Sequence, residues 1–343
     1  MRRSPLLFLA AALLLATPLA YAGGGGGRQA TYATPVKKRG RITQLRHSTT
    51  RPRGGWRGLR SAWNVQRGKL APARALPETT LWIPGHTLGY ASLEPAMKHF
   101  LGNPANGAMA AVYVAKSGTF RANGPKGRPM SPAEVAAAKL VTIEFSNAKA
   151  PAGVKGVEIA SAMRALATIK GPAHRGRVPM RVVTHSAGDP QFRAALLDHI
   201  DPGAEGIKIT GQIAVGSVFG GAWTGNAGNN PIGGLMGMRK AAGELAERSP
   251  FLARLDASRE LIDARIEGPR LDIALEGAIP LTPKIFGTPK LGRGDGFVQS
   301  ADASRTGART LIMRGIDPTP LNHLKQIGYS GVIKAIEDEL AAP

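Results

Sequence analysis

Ser186 stands in the stretch RVVTHSAGDP (181–190), where apolar, mostly β-branched residues run into small ones and a helix is expected to open. A serine on so abrupt a strand-to-helix corner has a strained backbone and an exposed Oγ. The residues two places to either side must be compact, or strand and helix collide. Here they are Thr184 and Gly188, so the pattern is T-x-S-x-G in place of the usual G-x-S-x-G. The free N–H groups at the start of the helix, Ala187 among them, suit a developing oxyanion. A serine hydroxyl is a poor nucleophile without a histidine base, and that base needs an orienting acid. His323, in PTPLNHLKQIG, is the histidine at a useful distance after Ser186; His199 falls within the elbow helix and should point away. Asp295, in GRGDGFV, is the acid between them on a Gly-rich turn, with Asp302 and Asp317 as rivals. A second oxyanion N–H is expected from the loop IPGHTLGY (83–90), where Pro84-Gly85 bends the chain and His86 or Thr87 faces the site. His86 reads as a loop-shaping residue rather than an acid or base. Asp189 reads as a helix cap, with Pro190 at the first helical position.

These residues need a frame, and the chain alternates in a way that supplies one. Strands are expected at 79–85, 109–115, 141–146, 180–186, 207–217, 278–287 and 309–315. Helices are expected at 92–101, 131–140, 157–170, 190–200 and 331–340. Alternating strands and helices predict an α/β fold, a mostly parallel sheet with helices on both faces. The stretch 218–250 breaks the alternation. It is rich in Gly and Asn yet carries Phe219, Trp223, Leu235, Met236 and Met238, so it reads as a flap or lid insertion after the strand at 207–217, over an apolar part of a substrate.

From residue 79 onward the chain resembles α/β-hydrolase lipases and esterases, in the branch with GPI-inositol deacylase-like and bacterial triacylglycerol-lipase-like enzymes. The matching pieces are IPGHTLGY, THSAGD, GDGFV and NHLKQIGYSGVIKAI, in that order, with ERSPFLARLDA (247–257) like a segment that follows the flap. The resemblance implies an α/β-hydrolase fold, with Ser186 as nucleophile, His323 as base and Asp295 as its partner.

The remainder of the chain bears on address and partners. Arg2 and Arg3, the apolar run Leu6–Leu15 and Ala20-Tyr21-Ala22 form a secretory signal with cleavage after Ala22. Five glycines (23–27) follow, then a leader to residue 75, and the globular domain is expected over 76–343. Residues 28–74 hold 13 Lys and Arg and no acid, much of the net charge of +22. That stretch reads either as a disordered basic leader or as a tether to anionic membrane or another polyanion. The chain has no cysteine, which excludes thiol catalysis, thiolate metal sites and disulfides, and a secreted or bacterial periplasmic protein fits best. No metal, no cofactor and no specific nucleic-acid partner is expected. The combined expectation is a serine ester hydrolase acting on lipid or medium-chain acyl esters through an acyl-enzyme. An acyltransferase on the same residues and a non-catalytic envelope scaffold are the alternatives.

Overall fold

The structure, a computed structural model, describes residues 68–85, 89–221, 243–246, 249–276, 305, 307–314, 323 and 325–341. Eight strands form one sheet in the order β3-β2-β4-β1-β5-β6-β7-β8. They are β1 (Thr79–Ile83), β2 (Ala111–Val114), β3 (Thr119–Ala122), β4 (Leu140–Glu144), β5 (Val178–His185), β6 (Ile207–Val215), β7 (Arg270–Glu276) and β8 (Arg309–Arg314). Every pairing is parallel except β2 with β3. The helices are α1 (Glu94–Leu101), α2 (Pro132–Ala137), α3 (Ala152–Lys170), α4 (Gly188–Asp198), α5 (Pro250–Ala257), α6 (Arg259–Ala264) and α7 (Ser330–Leu340).

The central strands are near-continuous apolar runs because both faces of a parallel sheet are covered. Leu81, Ile83, Val141, Ile143, Met180 and Val182 face α3 and α4, which contribute Ile159, Met163, Phe192 and Leu196. Trp82, Val183, Ile213 and Ile273 face α1 and α7, which contribute Met97, Phe100, Val332 and Ile336. The Trp82 and Phe100 rings meet at 5.6 Å between centroids. Each such side chain, fully buried, contributes roughly 1.5–3 kcal/mol. Helix starts follow local chemistry. Ser131 accepts from the Glu134 N–H while the Glu134 carboxylate accepts from the Ser131 N–H, with proline next in the chain. Ser249 caps α5 in the same serine-proline manner.

The expected strands and helices are present wherever they fall on described residues; the strand expected at 278–287 lies outside them. Two strands come in addition. β3 follows a turn at Gly118, whose φ of +66° suits glycine. β7 is the sequence RLDIALE. Its alternation puts Leu271, Ile273 and Leu275 on one face, but the other carries Asp272, so no strand is expected there from the sequence. On the α3–α4 face, Thr184, Gln212 and Asp272 occupy inward positions where β1 and β4 carry apolar residues, and all three are buried. The end of the basic stretch is docked on the domain. Ala73 and Leu76 are buried with the α1–α7 cluster, and the Asn106 side chain bonds the backbone of Arg74 and Leu76. No described helix is long and apolar enough to cross a membrane.

Candidate active site

β5 ends at His185 and α4 begins at Gly188, so two residues make the turn between them. Ser186 takes φ of +55°, one of only two described non-glycine residues in the left-handed region. Its N–H donates to the Val215 carbonyl at 2.9 Å, which ties the corner to the end of β6. Such a conformation costs a non-glycine residue of order 1–3 kcal/mol and persists only where the surroundings enforce it. Gly188 is part of that enforcement. A Cβ there would lie 2.6 Å from the Ile83 carbonyl oxygen and 2.8 Å from that of Pro84. The loop after β1 thus lies directly on the elbow, and a Cβ on Gly85 would meet the Ser186 Cβ at 2.9 Å.

His323 is buried, and its Nε2 lies 2.7 Å from Ser186 Oγ. The two residues are 137 positions apart in the chain, and the fold brings them together. Two further residues hold the histidine. His185 Nε2 lies 3.1 Å from the His323 carbonyl oxygen, and the two rings stack at 5.6 Å. Gln326 Nε2 lies 3.1 Å from His323 Nδ1. Neither was singled out from the sequence. His185 falls on a position that the corner pattern leaves unspecified, and a glutamine three residues after a histidine has no motif of its own.

Asp295, Asp302 and Asp317 lie outside the described residues, as do His86, Thr87, Trp223, Leu235, Met236 and Met238. The loop holding His86 and Thr87 is framed on both sides. Pro84 and Gly85 are buried against the elbow. On the far side Glu144 Oε2 accepts the Tyr90 N–H at 3.0 Å, with Gly89 at φ +51° beside it. Ala187 is the buried residue that precedes α4. His199 closes α4 at its far end, through its own N–H on the Ala195 carbonyl.

Asp189 corrects its reading as a cap. The helix begins at Gly188, the capping position is Ala187, and no side chain caps it. Asp189 is instead fully buried under the elbow. Its Oδ1 accepts from Gln212 Nε2 at 2.6 Å and lies 3.5 Å from Thr184 Oγ1. The threonine that replaces the first glycine of the elbow pattern therefore brings a hydroxyl to this carboxylate. Gln212 Oε1 in turn accepts from Arg305 at 2.6 Å, and Arg305 grips Asp272 through its backbone N–H at 2.7 Å and its guanidinium at 2.7 and 3.1 Å. Burial raises the Asp189 pKa, opposed by Arg305 and Arg193. Burial works against the Arg305 charge too, but Asp272 and Asp189 outweigh it and raise its pKa. Phe219, at the root of the expected flap, is half-buried on these cations, 4.7 Å from the Arg305 guanidinium and 5.8 Å from that of Arg193. Among the described residues no group of His, Asp or Glu is arranged to hold a metal ion.

The mostly parallel sheet, the helices on both faces and the serine corner after β5 are those of the α/β-hydrolase fold. Comparison with solved structures agrees. The lin2722 gene product of Listeria innocua matches with a TM-score of 0.51 at 15% identity, over 76% of this chain and 92% of that one. The propeptide form of Bacillus licheniformis lipase BlEst2 matches with a TM-score of 0.52 at 15% identity, over 80% of this chain and 52% of that one. At this identity the likeness is one of fold. No protein-family model matches the sequence, and comparison with curated proteins finds no match.

Proposed function

We propose that the chain is an exported serine hydrolase of carboxylic esters. The observation that carries this reading is the strained Ser186, with its Oγ 2.7 Å from His323 Nε2. A left-handed serine at the head of a helix is costly for stability and useful for attack on a carbonyl. In the proposed reaction His323 takes the Ser186 proton as Oγ adds to the ester carbonyl. The oxyanion is held by the Ala187 N–H and by an N–H of His86 or Thr87. His323 then protonates the leaving alcohol, and water enters by the same route to release the acid. Asp295 is proposed as the carboxylate that stabilises the imidazolium. Apolar residues of the flap favour a lipid or medium-chain acyl group.

The same residues would serve an acyltransferase if an alcohol replaced water as acceptor, and product analysis with glycerol or a long-chain alcohol present separates the two. Residues 28–74 are proposed to hold the exported enzyme near an anionic surface. Binding to phosphatidylglycerol vesicles that fades with salt tests that part.

The reading as a whole is tested by a fluorophosphonate probe and intact mass. The native protein should gain one adduct, and Ser186→Ala none. A folded native protein that takes no adduct, with and without detergent to open the flap, would refute the hydrolase and leave the envelope scaffold as the better description.

A further inference from the structure

Both backbone polar groups of Ser186 are tied to β6. The Ser186 N–H donates directly to the Val215 carbonyl at 2.9 Å. The Ser186 carbonyl accepts the Asp189 N–H at 3.3 Å, and the Asp189 carboxylate accepts from Gln212 Nε2 at 2.6 Å. Gln212 lies on β6, three residues before Val215. These bonds close a loop that leaves β6, passes through Ser186 and Asp189, and returns to β6. Arg193 and the Ser217 hydroxyl also act on the Asp189 carboxylate, and Gln212 is the partner that links it back to the middle of the strand. The neighbours of this buried glutamine dictate which way its amide lies. An ionised carboxylate only accepts and a guanidinium only donates. The Nε2 end must therefore face Asp189 and the Oε1 end Arg305, and each contact is made that way at 2.6 Å. Arg305 is held in turn by Asp272.

We infer that Gln212 is a positioning residue that, through Asp189, fixes the plane of the Ser186–Ala187 peptide and so the direction of the Ala187 N–H. The inference rests on the proposed roles of Ser186 and Ala187. A peptide unit is planar, and this one is trans, so its N–H points opposite to its carbonyl. With the Ser186 carbonyl turned onto the Asp189 N–H, the Ala187 N–H is turned away from α4, the direction an oxyanion donor needs. A left-handed residue stays so only where its surroundings enforce it. If Asp189 is released, the first turn of α4 can relax, the peptide plane can rotate, and the donor swings off the oxyanion while Ser186 Oγ shifts against His323. The threonine at 184 fits the same device, since its hydroxyl lies 3.5 Å from the carboxylate that Gln212 holds.

The test compares the full native chain with Gln212→Met, with the double variant Asp189→Asn, Gln212→Glu, and with Leu166→Ala. Methionine keeps the length of the side chain but gives Asp189 no donor. The double variant keeps the total charge and reverses the bond, so that the new amide donates to the new carboxylate, which still accepts from Arg305. Leu166 is a buried core residue near the end of α3 that leads back toward β5, and its truncation is the control for lost stability alone. Each protein is measured for kcat and KM on p-nitrophenyl butyrate, for fluorophosphonate labelling rate per folded molecule, and for hydrogen exchange of the Ser186 and Asp189 amides. Gln212→Met should lower kcat and labelling by roughly tenfold to a hundredfold, because an oxyanion contact is made in the transition state, and leave KM little changed. Its two amides should exchange faster than in the native protein. The double variant should recover labelling to within about threefold of native, the coupling expected of residues in contact. Leu166→Ala should lower the urea midpoint and keep the native rate. A folded Gln212→Met protein with native kcat and native exchange overturns the inference. So does equal loss in Gln212→Met and the double variant, which would mean that Gln212 only fills space, and so does equal loss in Leu166→Ala, which would mean that any destabilisation suffices. If Gln212→Met does not fold, the double variant decides alone, near-native labelling supporting the role and loss refuting it. A native protein unlabelled at Ser186 would sink the hydrolase reading instead, and the exchange of the two amides would still report on whether Gln212 holds the corner.

Discussion

Gly188→Ala adds a single methyl group at the first residue of α4, and two effects of opposite sign follow. Alanine is a better helix former than glycine by about 1 kcal/mol in a helix interior, and by less at a first position. Against that, the new Cβ would stand 2.6 Å from the Ile83 carbonyl oxygen and 2.8 Å from that of Pro84, roughly 0.7 Å inside an ordinary C···O contact. Both obstacles are backbone, one in the central strand β1 and one in the loop that follows it, so neither can swing aside as a side chain would. Overpacking of this kind costs about 1–3 kcal/mol. The clash wins, and a net loss of about 1–2 kcal/mol is expected. The larger effect falls on chemistry. Either Ser186 retreats from the loop or the loop retreats from Ser186, and a shift approaching 1 Å between reacting groups slows reaction by up to about a hundredfold. Urea denaturation reads the first effect, and the rate of fluorophosphonate adduct formation by intact mass reads the second. A Gly188→Ala protein with the native urea midpoint and the native labelling rate would refute the close approach of loop and elbow.

Ser186→Gly should unfold at higher temperature than the native protein, gaining up to about 1 kcal/mol as the left-handed strain is relieved, while losing all probe labelling; an unchanged or lower melting temperature counts against strain at the corner. Arg305→Met should lower stability by about 3–5 kcal/mol in urea, because it leaves Asp272 and Asp189 buried without their cation; a loss under 1 kcal/mol would show that the network is hydrated or slack. Lys155 and Lys170 are buried on backbone carbonyls, and burial lowers each pKa from 10.5 to about 8. Between about pH 8 and 10.5 the unfolded chain therefore binds more protons than the folded one. Stability should rise with pH across that window, by roughly 3 kcal/mol per lysine. Thermal melts of the native protein against a Lys155→Met, Lys170→Met double variant isolate the effect, and equal pH slopes in the two would refute it.

The sequence made the proposed nucleophile and base legible because such chemistry depends on chain order and on a corner that only small residues permit. Ser186, Gly188 and His323 could be singled out for that reason, and the alternation of apolar runs gave the sheet its helices on both faces. What escaped was polar and local. Asp189 followed by proline reads as a helix start, yet its carboxylate is turned inward, because Gln212 and Arg305 arrive from strands and turns more than 20 residues away. β7 was obscured by the same network, since Asp272 breaks an apolar pattern that its burial against Arg305 makes tolerable. Gln326 escaped because its burial against Gly216, more than 100 residues earlier in the chain, leaves no local pattern. The docking of Ala73 and Leu76 was hidden by the surrounding arginines, whose charge outweighs two small apolar residues in any reading by composition.

The buried network beneath the elbow also constrains how this protein can change. Arg193 pairs with Asp263 at 3.5 Å, Arg270 pairs with the same carboxylate, and Asp189 and Asp272 share Arg305. Asp189, Asp272, Arg193 and Arg305 thus sit together out of solvent, and Asp263 with Arg270 carries the network to a partly exposed edge. A lineage that loses one member inherits an uncompensated charge in its interior, so the first step of any replacement is the damaging one and the second is the cure. Such positions should drift in matched pairs or not at all, and grafting this elbow onto a related scaffold should succeed only when its distant counter-ions travel with it. Bulk salt, which screens exposed charges, should leave this interior balance untouched.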